Sequence, residues 1–139
     1  MKKYWSIILL VTLFSCKDDD EFIIGKEIIL NNSDSRSWAL IQIVQDGTEV
    51  QIPTCEQDNI MTLKSDEKFS VDEGATKCGE SQLAEEGIWW ISDDNKEFYL
   101  LSTTTTSAKE GSITSLSESN FSFKQMKDSV TTEWFYQAR

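Results

Sequence analysis

Between residues 37 and 138 apolar and polar side chains alternate in short runs, with turn-forming residues between them. This pattern constrains the fold more than any single residue does. A period of two sends successive side chains to opposite faces of an extended strand, whereas a helix would need a period of 3.6. The runs are "SWALIQIV" (37–44), "NIMTLKS" (59–65), "KFSVD" (68–72), "GIWWIS" (87–92), "EFYLLSTTTT" (97–106), "GSITSLS" (111–117), "FSFKQMK" (121–127) and "SVTTEWFYQA" (129–138). Asp46-Gly47 is a hairpin signal, because both residues tolerate the positive φ that tight hairpin turns require. The tetrapeptides at 65–68 and 93–96 read as further turns. The single proline, Pro53, falls between runs, where it breaks no ladder.

Eight short strands at spacings of roughly 8 to 15 residues, joined mostly by hairpin-length turns, predict an all-β chain. Sequential antiparallel strands leave two free edges unless the ribbon closes. The expected architecture is therefore an eight-stranded antiparallel up-and-down β-barrel. Residues 21–32, "EFIIGKEIILNN", read as a short N-terminal helix, with a lead-in strand as the alternative. Residues 103–106, four threonines, are compatible with a strand and carry no assigned chemistry.

A barrel of eight strands is either filled by side chains or holds one small ligand. Strand parity places Trp38, Leu40, Phe69, Val71, Trp89, Ile91, Phe98, Leu100, Phe121 and Phe123 on the inner face. These are the candidates for lining a cavity for a small apolar or aromatic ligand, with plain core packing as the alternative. Alternation cannot bury all of Trp134, Phe135 and Tyr136 on one face. Glu56, Asp58 and Asn59 read as turn caps, with a place at the barrel mouth as the second option. Asp93, Asp94 and Asn95 form a turn whose spacing matches no dedicated calcium loop.

The first 21 residues answer to a different constraint. Lys2 and Lys3 precede an apolar run from Tyr4 to Phe14, which is too short to span a bilayer comfortably and has the layout of a secretory leader. Leu13-Phe14-Ser15-Cys16 resembles the lipobox of bacterial lipoproteins. That resemblance implies cleavage after residue 15, acylation of Cys16 and a membrane partner held through the lipid, since several acyl chains give stable anchoring where one does not. Lys17-Asp18-Asp19-Asp20-Glu21 then reads as a solvated tether. It is also similar to a signal found in Gram-negative bacteria for display on the outer leaflet of the outer membrane; an anchor facing the periplasm is the alternative. The organisation expected is a removed leader (1–15), a lipidated and acidic tether (16–35) and one barrel domain (36–139).

Composition narrows the chemistry. The formal charge of −11 becomes −13 once Lys2 and Lys3 leave with the leader, so nucleic acid is not an expected partner. The chain has no histidine. That removes histidine bases, Ser-His and Cys-His pairs and most zinc sites, and no metal or cofactor is expected. There are no glycine-rich phosphate or dinucleotide motifs, no catalytic residue is assigned, and the chain is read as not an enzyme. With Cys16 given to lipid, Cys55 and Cys78 remain in an exported, oxidising setting and are expected to pair as a structural disulfide. A metal pair would want more soft ligands, and a redox pair a closer spacing.

Several short motifs occur in order: "WAL" at Trp38–Leu40, "CEQDN" at Cys55–Asn59, "DEGATKC" at Asp72–Cys78, "GIWWIS" at Gly87–Ser92 and "ITSLS" at Ile113–Ser117. Together they resemble the lipocalin-like domain of small bacterial lipoproteins, over about residues 36 to 138. The resemblance implies a small antiparallel barrel with a disulfide between the Cys55 and Cys78 segments. It fixes shape rather than function. Two departures stand out: Leu63 in place of a common phenylalanine, and a tryptophan pair, Trp89-Trp90, in place of one. If Trp89 points inward, Trp90 points out. The expected role is a lipid-anchored, non-enzymatic envelope protein binding a small ligand. A filled barrel acting as a surface adaptor is the alternative, and a hydrolase or an inhibitor of one is the rival from another class.

Replacing Cys16 by alanine is expected to abolish incorporation of radioactive palmitate and to leave the protein unprocessed or soluble. Labelling that survives the substitution would overturn the lipid assignment.

Overall fold

The computed structural model describes residues 24–79 and 84–139. The leader, Cys16 and the acidic run lie outside the described residues. A helix, α1 (Ile24–Leu30), precedes nine strands: β1 (Ser35–Gln45), β2 (Thr48–Val50), β3 (Ile60–Lys64), β4 (Lys68–Asp72), β5 (Glu85–Ile91), β6 (Glu97–Ser102), β7 (Ala108–Leu116), β8 (Asn120–Lys127) and β9 (Val130–Ala138). A single 3-10 turn at Thr54–Glu56 sits between β2 and β3.

All pairings are antiparallel, and the last strand returns to the first: β9 pairs with β1 from Trp38 to Gln45. The opposite edge of β1 is shared, with β3 along Ser35–Ala39 and β2 along Ile43–Gln45. The result is a closed eight-stranded barrel, with β2 as a three-residue flap beside the β1 hairpin. That hairpin turns at Asp46 (φ 46°) and Gly47 (φ 80°), as the Asp-Gly pair predicts.

The up-and-down order gives the barrel two unlike ends. At one, α1 lies across the opening and buries Ile29 and Leu30 in the core. The Gly25 amide donates to Asn95 Oδ1 (3.2 Å) in the β5–β6 turn. Lys26 pairs with Glu67 (3.2 Å) in the β3–β4 turn, an exposed contact of small energetic weight. Asn31 and Asn32, both at positive φ, terminate the helix. The reading of residues 21–32 as a short helix therefore holds for Ile24–Leu30.

Inside, aromatic rings fill the helix end and the waist. Trp38 meets Phe121 edge-on at 4.8 Å, Phe98 lies 4.9 Å from Phe123, and Tyr136 stacks on Phe121 at 4.9 Å. Trp89 is fully buried, and its Nε1 donates to the Lys64 carbonyl (3.0 Å). Trp90 faces outward and stacks on Tyr99 across the strand pair at 4.7 Å. In the Trp134-Phe135-Tyr136 run, Trp134 and Tyr136 join the inner cluster, while Phe135 sits between them on the opposite face.

Two bulges and three strand ends differ from simple alternation. Register slips at Ile41 in β1 and at Thr114 in β7, so Ile43 rather than Val44 is buried, and Leu116 is directed inward. β6 ends at Ser102 rather than running through Thr106. The physical reason lies in the hydroxyls. Ser102 Oγ accepts from the Thr105 amide (3.1 Å) and Thr103 Oγ1 donates to the Glu86 carbonyl (3.0 Å), which curls the threonines into a turn. Correspondingly, β5 begins at Glu85 and β7 at Ala108, both earlier than the alternation alone indicates.

Gly87 faces inward opposite Phe69 and Ser102. A Cβ there would lie 2.0 Å from the Leu101 carbonyl oxygen and 2.7 Å from the Phe69 ring. Gly87→Ala must therefore displace backbone, and should destabilise by about 1–3 kcal/mol. Chemical denaturation checks this; an unchanged midpoint would show that the wall yields freely.

Candidate functional site

The end of the barrel away from α1 is not filled. A cavity of about 120 Å³ opens there. Its apolar wall is made by cross-strand neighbours. Trp38 stands opposite Met61, Met61 opposite Val71, and Val71 opposite Glu85, giving one row across β1, β3, β4 and β5. Leu40 opposite Tyr136 and Leu100 opposite Lys109 complete the ring. Glu56, Asn59 and Glu73 come from the segments that rim the mouth.

That rim is tied covalently. Cys55, in the 3-10 turn, is bonded to Cys78, in the β4–β5 loop, with Cα atoms 4.9 Å apart. Asp58 Oδ2 accepts from the amides of Ala75 (2.7 Å) and Thr76 (3.1 Å), holding the same two segments together. With its amide nitrogen turned towards them, Asn59 donates to the carbonyls of Cys55 (3.2 Å) and Glu73 (3.0 Å). Asp58 thus acts as a turn cap, whereas Glu56 and Asn59 take the mouth position.

The ten inward residues named from parity separate into groups. Trp38, Leu40, Val71 and Leu100 line the cavity. Phe69, Phe98, Phe121 and Phe123 are buried in the packed interior, and Trp89 and Ile91 lie towards α1, beside a separate cleft. Met61, Glu73, Glu85, Lys109 and Tyr136 line the cavity without having been singled out. Glu85 and Lys109 escape a reading of alternation because each lies at a strand start that the pattern leaves in a loop. Tyr136 escapes because the bulky run 134–136 hides its parity.

The cavity wall carries opposite charges. Lys109 is partly buried, and its Nζ lies 5.7 Å from the Trp134 ring centroid. Attraction to the Tyr136 phenolate, then to Glu85 and Glu56, raises its pKa in spite of desolvation. Burial raises the Tyr136 pKa, and the Lys109 ammonium pulls against that rise. Glu85 Oε1 accepts from Ser107 Oγ (3.3 Å).

Both Lys109 and Tyr136 hold their protons more tightly in the folded than in the unfolded chain. Their contribution to stability is therefore fully present up to about pH 10 and is lost above it. In an alkaline absorbance titration Tyr136 should ionise above the ordinary phenol value of about 10, and Lys109→Met should move it higher still. A downward movement would contradict the proximity of the two groups.

A family model described as a lipocalin-like domain matches residues 36–123, more than half of the chain. No curated protein matches it.

Proposed function

The chain belongs to the lipocalin-like domain family, and on that premise we propose that it is a non-enzymatic binding protein, lipid-anchored at the cell envelope through Cys16, whose barrel holds a small ligand with an apolar or aromatic body. Outer-membrane attachment with display at the cell surface is part of the proposal, and it rests on the lipobox-like junction and the acidic run behind it.

The observation that carries the binding role is the contrast between the two halves of the interior. One half is closed by aromatic rings and α1; the other keeps about 120 Å³ open against Trp38, Leu40, Met61, Val71 and Leu100. An apolar cavity of about 150 Å³ accepts benzene, so this space suits one small ring or a branched aliphatic body. Glu56, Glu73 and Glu85 line the same space, yet a cavity of this size does not hold both sugars flanking a glycosidic bond, which weighs against a hydrolase.

A second reading, an adaptor that works through its outer face, has its own support. Ile88 stands opposite Leu101 and Trp90 opposite Tyr99, forming an outward apolar stripe on β5 and β6 in which Ile88, Trp90 and Leu101 are about two-fifths exposed.

Titration with benzene and indole separates the readings. Saturable one-to-one binding is expected, weakened at least about ten-fold by Leu100→Trp, which fills the cavity. If no ligand saturates, and Trp90→Ala instead abolishes co-purification of a partner protein, the cargo role is lost to the adaptor.

A further inference from the structure

We propose that the cavity takes a small zwitterion, a molecule with one carboxylate and one ammonium on a short apolar body, such as a small α-amino acid. This rests on the cargo reading and gives it a chemical class.

The argument begins with Lys109. It lines the cavity on β7, near Tyr136 on β9, and none of the ion pairs among the described residues includes it. Its ammonium is attracted by Glu85 and Glu56 at longer range, yet neither pairs with it directly, so a carboxylate in contact is still wanting. A ligand carboxylate placed between Lys109 and Tyr136 would supply it, with charge-assisted hydrogen bonds to both.

The carboxylates that share the cavity have the opposite need. Glu56 before β3, Glu73 after β4 and Glu85 at the head of β5 bring three carboxylates to one small space. They come from neighbouring segments, and Glu85 accepts from Ser107, two residues before Lys109. Among the described residues Lys109 is the only cation in the cavity lining. A simple anion entering would meet this excess of negative charge and the field of a chain whose formal charge is −11. A simple amine would satisfy the carboxylates but bring a second cation towards Lys109. A molecule with both charges offers the ammonium and the carboxylates each their complement and adds no net charge. In the same cavity Trp38, Leu40, Met61, Val71 and Leu100 would receive an apolar side chain.

The test compares isosteres on the purified full-length protein by calorimetry: L-valine, isobutyrate, isobutylamine and benzene. L-Valine is expected to bind at least about ten-fold more tightly than isobutyrate or isobutylamine, because each of those loses one charged pair. Lys109→Met should lower valine affinity to the level of isobutylamine, and Glu73→Gln with Glu85→Gln should lower it towards that of isobutyrate. Circular dichroism verifies that these variants fold, and the wild-type comparison needs no variant. Equal or tighter binding of isobutyrate, or valine binding untouched by a folded Lys109→Met variant, would overturn the zwitterion assignment. Saturable benzene binding with no valine binding would also overturn it while leaving the cargo role standing. If no member of the set binds, both fall.

Discussion

The seam between β1 and β9 is the contact on which the rest of the molecule depends. Without it the chain is an open meander with a long apolar face, and the inward aromatics have nothing across from them. With it, the backbone groups of Trp38–Gln45 find partners in β9, and the inner face becomes an enclosed space. The ring contacts of Phe121 with Trp38 and Tyr136 bring side chains of β8, β1 and β9 together at that seam, so closure and core packing reinforce each other. The bulge at Ile41 belongs to the same device. It bends β1 into the curvature of the wall and brings Ile43 onto the inner face after Leu40.

Once closed, an eight-stranded barrel has little interior to distribute, and its two ends divide it differently. At one end α1 contributes Ile29 and Leu30 as a stopper over the packed rings, with a cleft beside it lined by Trp89, Ile91 and Asn95. At the other, the lining turns polar as it approaches solvent, with Glu85 and Lys109 standing on strands rather than on loose loops. Charged groups on paired strands keep their spacing better than groups on a free loop would. The mouth segments have no such ladder to hold them; the Cys55–Cys78 bond and the Asp58 hydrogen bonds fix them instead.

Much of this architecture is legible in the sequence because alternation is a local signal. The cores of all eight barrel strands fall within the alternating runs, the Asp46-Gly47 turn lies where its dihedral preferences demand, and Trp89 and Trp90 face in and out as parity requires. The bulges at Ile41 and Thr114 are not legible, since an extra residue in one strand is set by its partner's register across the sheet. The threonine run misleads because β-branched residues favour strands while their hydroxyls can equally fold a turn. The same uncertainty at strand ends conceals Glu85 and Lys109. The apolar half of the cavity is therefore readable from periodicity, whereas its charged half depends on where strands begin.

The placement of the one covalent crosslink has a practical consequence. Its ring runs from the 3-10 turn through the β3–β4 hairpin to the β4–β5 loop, while the aromatic interior is held by ring packing, strand pairing and the Trp89 hydrogen bond. In a reducing cytosol, as in routine recombinant production, the bond would be absent, at a cost of about 2–5 kcal/mol to the fold and with the lip free to widen. Material made that way would combine lower stability with a blurred vestibule, so ligand screens should begin from protein matured in an oxidising compartment.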